Sequence, residues 1–85
     1  MIDLNQVLVT ALIRCVSEFV TWKLIDITIV RCEKVSECWV VEIRNVYLKG
    51  DCIVFVWEIS LAGNINSYRY SFVELPPQFQ YLKSR

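Results

Sequence analysis

The second half of this chain consists of three consecutive segments in which side chains alternate between two faces. The segments are residues 38–48, 52–61 and 65–75. An alternation with a period of two predicts β-strands, because successive side chains of a strand point to opposite faces of a sheet. The short linkers between the segments contain Gly50 and Gly63, and such linkers join antiparallel neighbours. The second half therefore predicts a β-meander.

The first part of the chain predicts one helix and one further strand. Residues 3–20 carry polar side chains at steps of three or four, which is typical of a helix with one solvent face. The opposite, apolar stripe consists of Leu4, Leu8, Ala11, Leu12, Cys15 and Phe19. Asp3 and Gln6 have the spacing of a capping box at the helix start. Residues 22–34 alternate with a period of two and predict a long strand.

These elements predict an α+β fold in which one N-terminal helix packs on a four-stranded antiparallel meander sheet of order 1-2-3-4. This outline looks like half of a cystatin-type or PepSY-type fold. We expect residues 1–85 to form a single domain, because a chain this short supports one core. The proline pair at 76–77 ends the sheet, since proline cannot donate to a strand ladder. Residues 76–85 are then a short, partly loose tail, with Phe79 and Tyr81 as candidate anchors.

The parity of the side chains assigns the two faces of the predicted sheet. A three-residue loop at 49–51 joins strands two and three, and a two-residue turn at 63–64 joins strands three and four. This register places Glu58 opposite Arg69 as a cross-strand ion pair. It also places a set of aromatic side chains on the face that the helix covers: Trp39, Trp57, Tyr68, Tyr70 and Phe72. We expect this set to form the core.

The other face of the sheet is the predicted site of function. A sheet face that is open to water normally carries polar side chains, but here valines, together with Leu24, Cys32 and Cys38, surround a charged centre. We predict that a protein partner covers this face, as a homodimer or in a hetero-complex. The predicted partner-binding residues are Trp22, Val40, Glu42, Arg44, Val54, Val56, Glu58 and Arg69. The alternative is that the valines reflect strand propensity alone.

Charge and composition argue against several other functions. Nine basic and nine acidic side chains cancel, and no basic tract exists, so we expect no nucleic-acid partner. The chain has no histidine to act as a catalytic base, and both glycines are explained by turns, not by a phosphate-binding loop. Glu42 and Glu58 can approach each other as an acid–base pair, but Arg44 and Arg69 are close enough to neutralise both. We therefore predict a non-enzymatic protein with no cofactor.

The four cysteines match no zinc-binding spacing, so we expect no metal site. Their usual behaviour is that of small buried hydrophobes in a reducing cytoplasm, where we expect this protein to be found. One alternative stays open. A five-residue loop over 33–37 would place Cys32 opposite Cys38, and a cross-strand disulfide could then form.

We also expect no membrane span and no secretory signal. The most apolar stretch, residues 7–20, is interrupted by polar side chains that include Arg14 and Glu18. The residues before this stretch include Asp3 and no positively charged side chain, which is unlike a signal peptide.

Three stretches within residues 39–70 carry a family resemblance: WVVEI at 39–43, the strand from Asp51 to WEI at 57–59, and GNINSYRY at 63–70. They resemble the small gas vesicle protein O family. The family has a helix followed by strands that read W-x-V-x-V-E, then an aspartate-initiated strand ending Y-E-V, then G-x-L-x-G-Y-x-R. Ser67 stands where the family has its second glycine. The resemblance implies an accessory protein of gas vesicle assembly that acts through protein contacts without catalysis.

Three functional hypotheses follow from the sequence. The first is a small interaction or assembly protein that works through the outer sheet face. The second is a regulator or inhibitor that binds a target protein through an edge strand or the C-terminal tail. The third is a small-ligand carrier or minor enzyme subunit that uses the aromatic face.

Overall fold

The computed structural model describes residues 1–84, and Arg85 of the predicted tail lies outside them. The elements are α1 (Leu4–Ser17), β1 (Leu24–Val35), β2 (Cys38–Tyr47), β3 (Cys52–Ser60), β4 (Ile65–Val73) and a C-terminal 3-10 helix (Pro77–Ser84). The strands form one antiparallel sheet in the order β1-β2-β3-β4. The predicted α+β fold and its strand order are confirmed. We call the sheet face that α1 covers the inner face and the opposite one the outer face.

Helix α1 begins at the predicted capping box and ends earlier than predicted. Asp3 Oδ1 accepts a hydrogen bond from the Gln6 N–H, and Gln6 Oε1 accepts one from the Asp3 N–H, both at 2.9 Å. The helix was predicted to reach residue 20 but stops at Ser17. Phe19 adopts a left-handed φ of 51°. This turn brings the Phe19 ring into a stack with Trp22, with 4.7 Å between ring centroids, and aromatic stacking replaces a further helical turn.

Strands β2, β3 and β4 present the predicted faces but not all of the predicted partners. Each of their two hairpins closes around a three-residue loop, at 48–50 and 61–63, with the glycine of each loop at positive φ. The loop at 61–63 has one residue more than predicted, which alone would reverse the faces of β4. An extra residue in β4, Asn66, forms a bulge that returns the following residues to their predicted faces. The parity argument therefore assigned the faces correctly, while the register of β4 is two residues away from the prediction.

Strand β1 changes face twice, because bulges at Ile25 and Val30 each insert one residue. A two-residue turn at 36–37, with Ser36 at a φ of 55°, joins β1 to β2 in place of the five-residue loop. Cys32 consequently faces Val41 on the inner side, and Cys38 faces Val35 on the outer side. The disulfide alternative was wrong: all four cysteines are free thiols.

The main core lies between α1 and the centre of the inner face. Val7, Ala11 and Cys15 of the helix pack on β2 and β3 around the fully buried Trp57. A helix is about 10–12 Å wide, and the outer strands of a four-stranded sheet lie about 14 Å apart at about 4.7–4.9 Å per strand. One helix therefore cannot cover the whole face. The prediction that Tyr68, Tyr70 and Phe72 are core was wrong, since all three are exposed.

A second, smaller core lies on the outer face, under the C-terminal segment. Its buried members are Val46, Cys52, Leu75 and Leu82, with Ile25 and Phe79 packed against them. The segment predicted to be a partly loose tail is thus folded onto the sheet. Phe79 is an anchor, as predicted, whereas Tyr81 is exposed.

Candidate functional site

The predicted partner-binding residues lie together on the outer face, with one exception. Val40 faces Glu58, Glu42 faces Val56, and Arg44 faces Val54 across the β2–β3 ladder, while Arg69 faces Val56 from β4. Trp22 was assigned to the wrong face. Its indole packs against the inner core, and the Lys49 ammonium lies 3.9 Å above its ring. Leu24 and Cys32, also expected on the outer face, pack against the inner core.

The charged centre of the outer face is paired differently from the prediction. Arg44 Nη2 lies 3.6 Å from Asp26 Oδ2 and donates to Thr28 Oγ1 at 3.2 Å. Glu42 Oε1 lies 3.5 Å from Arg31 Nε. These contacts tie β2 to β1 and pair each of the two central charges with a charge of β1. Arg44 Nε stays buried without a hydrogen-bond partner among the described residues.

The register also separates the pairs proposed from the sequence. Glu58 faces Ser67, so the predicted ion pair with Arg69 is not formed among the described residues. Glu42 and Glu58 are diagonal neighbours on β2 and β3, where side chains lie farther apart than in directly opposite pairs.

A second candidate surface lies at the β4 edge of the inner face. We call Tyr68, Tyr70 and Phe72 the aromatic edge; their exposed fractions are 43%, 48% and 55%. Each ring rests on the core from one side and is open on the other. Tyr68 stacks on Trp57 with 4.6 Å between centroids, and Tyr70 meets Phe19 edge-on at 5.5 Å. The rings are therefore held in place before any partner arrives, which lowers the entropic cost of binding.

The backbone at the aromatic edge also has free hydrogen-bonding groups. The Tyr47 N–H donates to the Asp51 carbonyl at 2.9 Å, so odd-numbered β3 residues direct their backbone groups to β2 and even-numbered ones to β4. The even-numbered β3 residues face Arg69, Ser71 and Val73. The N–H and C=O groups of the aromatic edge consequently point away from the sheet, and no strand within residues 1–84 pairs with them.

The opposite edge of the sheet is protected. Strand β1 is interrupted by the bulges at Ile25 and Val30, and it carries charged side chains that include Arg31 and Glu33, which form an ion pair at 2.6 Å. Bulges and charges are the devices by which proteins keep edge strands from pairing with other chains. Strand β4 has one bulge, at Asn66 near its start, and one charged side chain, Arg69, whereas its pairing with β3 is regular over residues 67–73.

Helix α1 carries a further apolar stripe that is exposed to solvent. It consists of Val9, Ile13 and Val16, which are spaced four and three residues apart and are all exposed. Ile13 also lines an open groove between α1 and β4, together with Arg14 and Tyr68. The stripe and the aromatic edge therefore meet on one side of the molecule and expose more apolar surface than scattered single residues would.

The two buried cysteine thiols, Cys15 and Cys52, are unsuited to nucleophilic chemistry at neutral pH. Burial raises the pKa of Cys15 to about 11, with a hydrogen bond from Trp57 acting in the opposite direction. Burial also raises the pKa of Cys52, against the lowering effect of Arg44. A thiol with a raised pKa holds its proton, and the thiolate is the nucleophile.

Sequence reasoning missed the aromatic edge because it placed these side chains in the core. One signal could have found them: two prolines follow β4 and end the run of alternating residues, so β4 lies at the margin of the sheet formed by residues 1–84. The stripe on α1 is visible in the sequence as its helical spacing, although polar neighbours obscure it.

The fold and its exposed edge define a small α+β protein with one protected and one unprotected sheet edge. Within residues 1–84, no helix has the length and apolar character to cross a membrane, and no cluster of potential ligand side chains could hold a metal ion. Comparisons with protein-family models, curated proteins and solved structures find no match to this chain.

Proposed function

We propose that this chain is a non-enzymatic protein-interaction domain that binds an extended segment of a protein along the aromatic edge. The observation that carries the proposal is that the same three residues combine exposed rings with backbone groups that no strand of residues 1–84 pairs with. In β-strand addition, backbone hydrogen bonds supply affinity, and contacts with alternate side chains supply specificity. The bound segment is expected to be extended, with apolar side chains at alternate positions.

Two observations favour the aromatic edge over the outer face. The C-terminal segment already covers Val46 and Cys52, so part of the apolar outer surface is explained within the chain. Arg44 and Glu42 each form an ion pair with a charged side chain of β1, so part of the charged centre is also neutralised within the chain. Binding through the outer face around Val56 stays a prediction, which the experiment below also tests.

Finer proposals fall within this function. A regulator or inhibitor that acts through an edge strand would use the surface described here. An accessory role in gas vesicle assembly has the support of the resemblance over residues 39–70, and a cytoplasmic location has the support of the four free thiols.

Site-specific photo-cross-linking of the full chain in its native cells tests the proposal. A photoreactive amino acid replaces Tyr70, or replaces Val30 on the protected edge as a control of matched exposure (51% against 48%). A third variant carries it at Val56 on the outer face. We expect protein adducts from position 70 and none from position 30. Adducts from position 56 alone would contradict the proposal and support the outer face.

A further inference from the structure

We propose that the strand bound by the aromatic edge is β4 of a second copy of this chain, antiparallel to the first and with Tyr70 on the two-fold axis. This inference rests on the proposed function, since it names the occupant of the same edge. It would join two sheets into one continuous sheet of eight strands, with both helices on the same face.

Backbone geometry makes β4 complementary to itself. In an antiparallel pair, residues that exchange hydrogen bonds must both direct their backbone groups toward the other strand. Tyr68, Tyr70 and Phe72 do so. Pairing Tyr70 with Tyr70 of the second copy sets Tyr68 opposite Phe72 on either side of the axis, and every outward group of the aromatic edge finds a partner.

Charge and the number of aromatic pairs favour this register over the symmetric registers with the axis at Arg69 or at Ser71. A two-fold axis at Arg69 would place two guanidinium groups directly opposite each other, which is unfavourable. An axis at Ser71 would lose one aromatic pair and would set Glu74 opposite Tyr68. With the axis at Tyr70, Arg69 lies opposite Ser71, and no two like charges face each other across the new ladder.

The exposed area indicates a weak, reversible dimer. If an aromatic side chain presents about 150–250 Å², burying the exposed half of three rings in each copy removes on the order of 400–800 Å² from water. Standard interfaces bury at least about 1,200 Å². We therefore expect a dissociation constant in the micromolar range, so the test must reach high protein concentration.

Charge exchange at position 70 tests both the dimer and its axis. Sedimentation velocity of the purified full chain, from low micromolar to millimolar concentration, is expected to show a monomer–dimer equilibrium. Tyr70→Lys and Tyr70→Glu should each weaken dimerisation by about tenfold or more, because each places like charges on the axis. An equimolar mixture of the two variants should recover the dimer. Any other register sets position 70 opposite a different residue, so mixing would not restore association.

Three results would overturn the inference. They are a wild-type chain that stays monomeric at millimolar concentration, variants that dimerise as well as the wild type, and a mixture that fails to recover the dimer. A monomeric chain that still gives adducts from position 70 in cells would leave the proposed function standing with another occupant. A chain that stays monomeric and also gives no adducts from position 70 would overturn both the dimer and the proposed function.

Amide hydrogen exchange on the wild-type chain needs no substitution and applies even if a variant fails to fold. The amides of Tyr68, Tyr70 and Phe72 should become slower to exchange as concentration rises. Those of Arg69 and Ser71 already face β3 and should change little. Equal behaviour of the two groups at all concentrations would contradict pairing at this edge.

Discussion

The indole nitrogen Nε1 of Trp57 donates a hydrogen bond to Sγ of Cys15 at 2.9 Å. This bond joins the centre of β3 to the buried side of α1, where both side chains are closed off from solvent. An indole N–H needs a partner when it is buried, and the thiol supplies a weak one. The bond connects the stability of the helix–sheet contact to the protonation of one cysteine.

We predict that the protein loses stability in alkaline solution through Cys15. The pKa of this thiol is raised from 9.0 to about 11 in the folded chain. Below pH 9 both states hold the proton; between pH 9 and 11 the unfolded chain releases it first, so the free energy of unfolding falls, by about 2–3 kcal/mol in total. Urea unfolding across this range measures the decline. Cys15→Ala should flatten it, and an equally steep decline in that variant would assign it to other groups.

Asn45 is predicted to be an anchor for the end of the helix. Its Nδ2 donates to the Cys15 carbonyl at 3.1 Å and to Tyr47 Oη at 2.9 Å, and the side chain is fully buried. Asn45→Leu leaves both acceptors unpaired and should cost about 1–3 kcal/mol. Asn45→Asp should cost more at neutral pH and recover in acid, because burial disfavours the charged carboxylate.

Thermal unfolding of the Asn45 variants at two pH values checks this prediction. Tyr47→Phe is the control, since it removes one of the two acceptors and keeps the other. A variant carrying Asp at position 45 whose stability did not improve as the pH fell would argue against a buried site.

The C-terminal segment is predicted to contribute to stability through one side chain. Leu82 is 5% exposed and packs with Val46 and Cys52, whereas Tyr81 is 59% exposed. Leu82→Ala should lower the free energy of unfolding by about 2–3 kcal/mol, toward the lower end of buried leucine truncations, because its site is at the margin of the sheet. Tyr81→Ala should change it by less than about 0.5 kcal/mol. Equal effects in chemical denaturation would mean that the segment does not pack as described.

The alternation in residues 22–34 and 38–75 was sufficient to predict the order of the strands, and it also predicted the faces of β2, β3 and β4. It could not predict the register of β4. The loop at 61–63 has one residue more than the predicted turn, and the bulge at Asn66 compensates for it. The extra loop residue and the bulge each reverse the parity of β4, so together they leave its faces unchanged. A pattern that distinguishes only odd from even positions therefore cannot detect them.

The alternation could not predict which face each β1 residue lies on or how exposed β4 is, for two different reasons. Each bulge of β1 reverses parity, so Cys32 was placed on the wrong face of the sheet. Tyr70 was placed on the right face but in the core, because periodicity shows which way a side chain points and not whether anything is wide enough to cover it. The aromatic edge is exposed because one helix is too narrow to cover the four-stranded sheet, and the alternation carries no information about these widths.

The difference between the two edges of the sheet sets how many molecules an edge-to-edge assembly can contain. If both edges accepted a strand, every added molecule would present a fresh edge, and growth would continue as a filament. Because the bulges at Ile25 and Val30 close β1, joining at β4 uses up the open edge of each molecule. Assembly then ends at the dimer, because the bulged β1 edges that remain exposed do not accept a further strand. The irregularity of the first strand thus prevents the sheet from extending into a fibre.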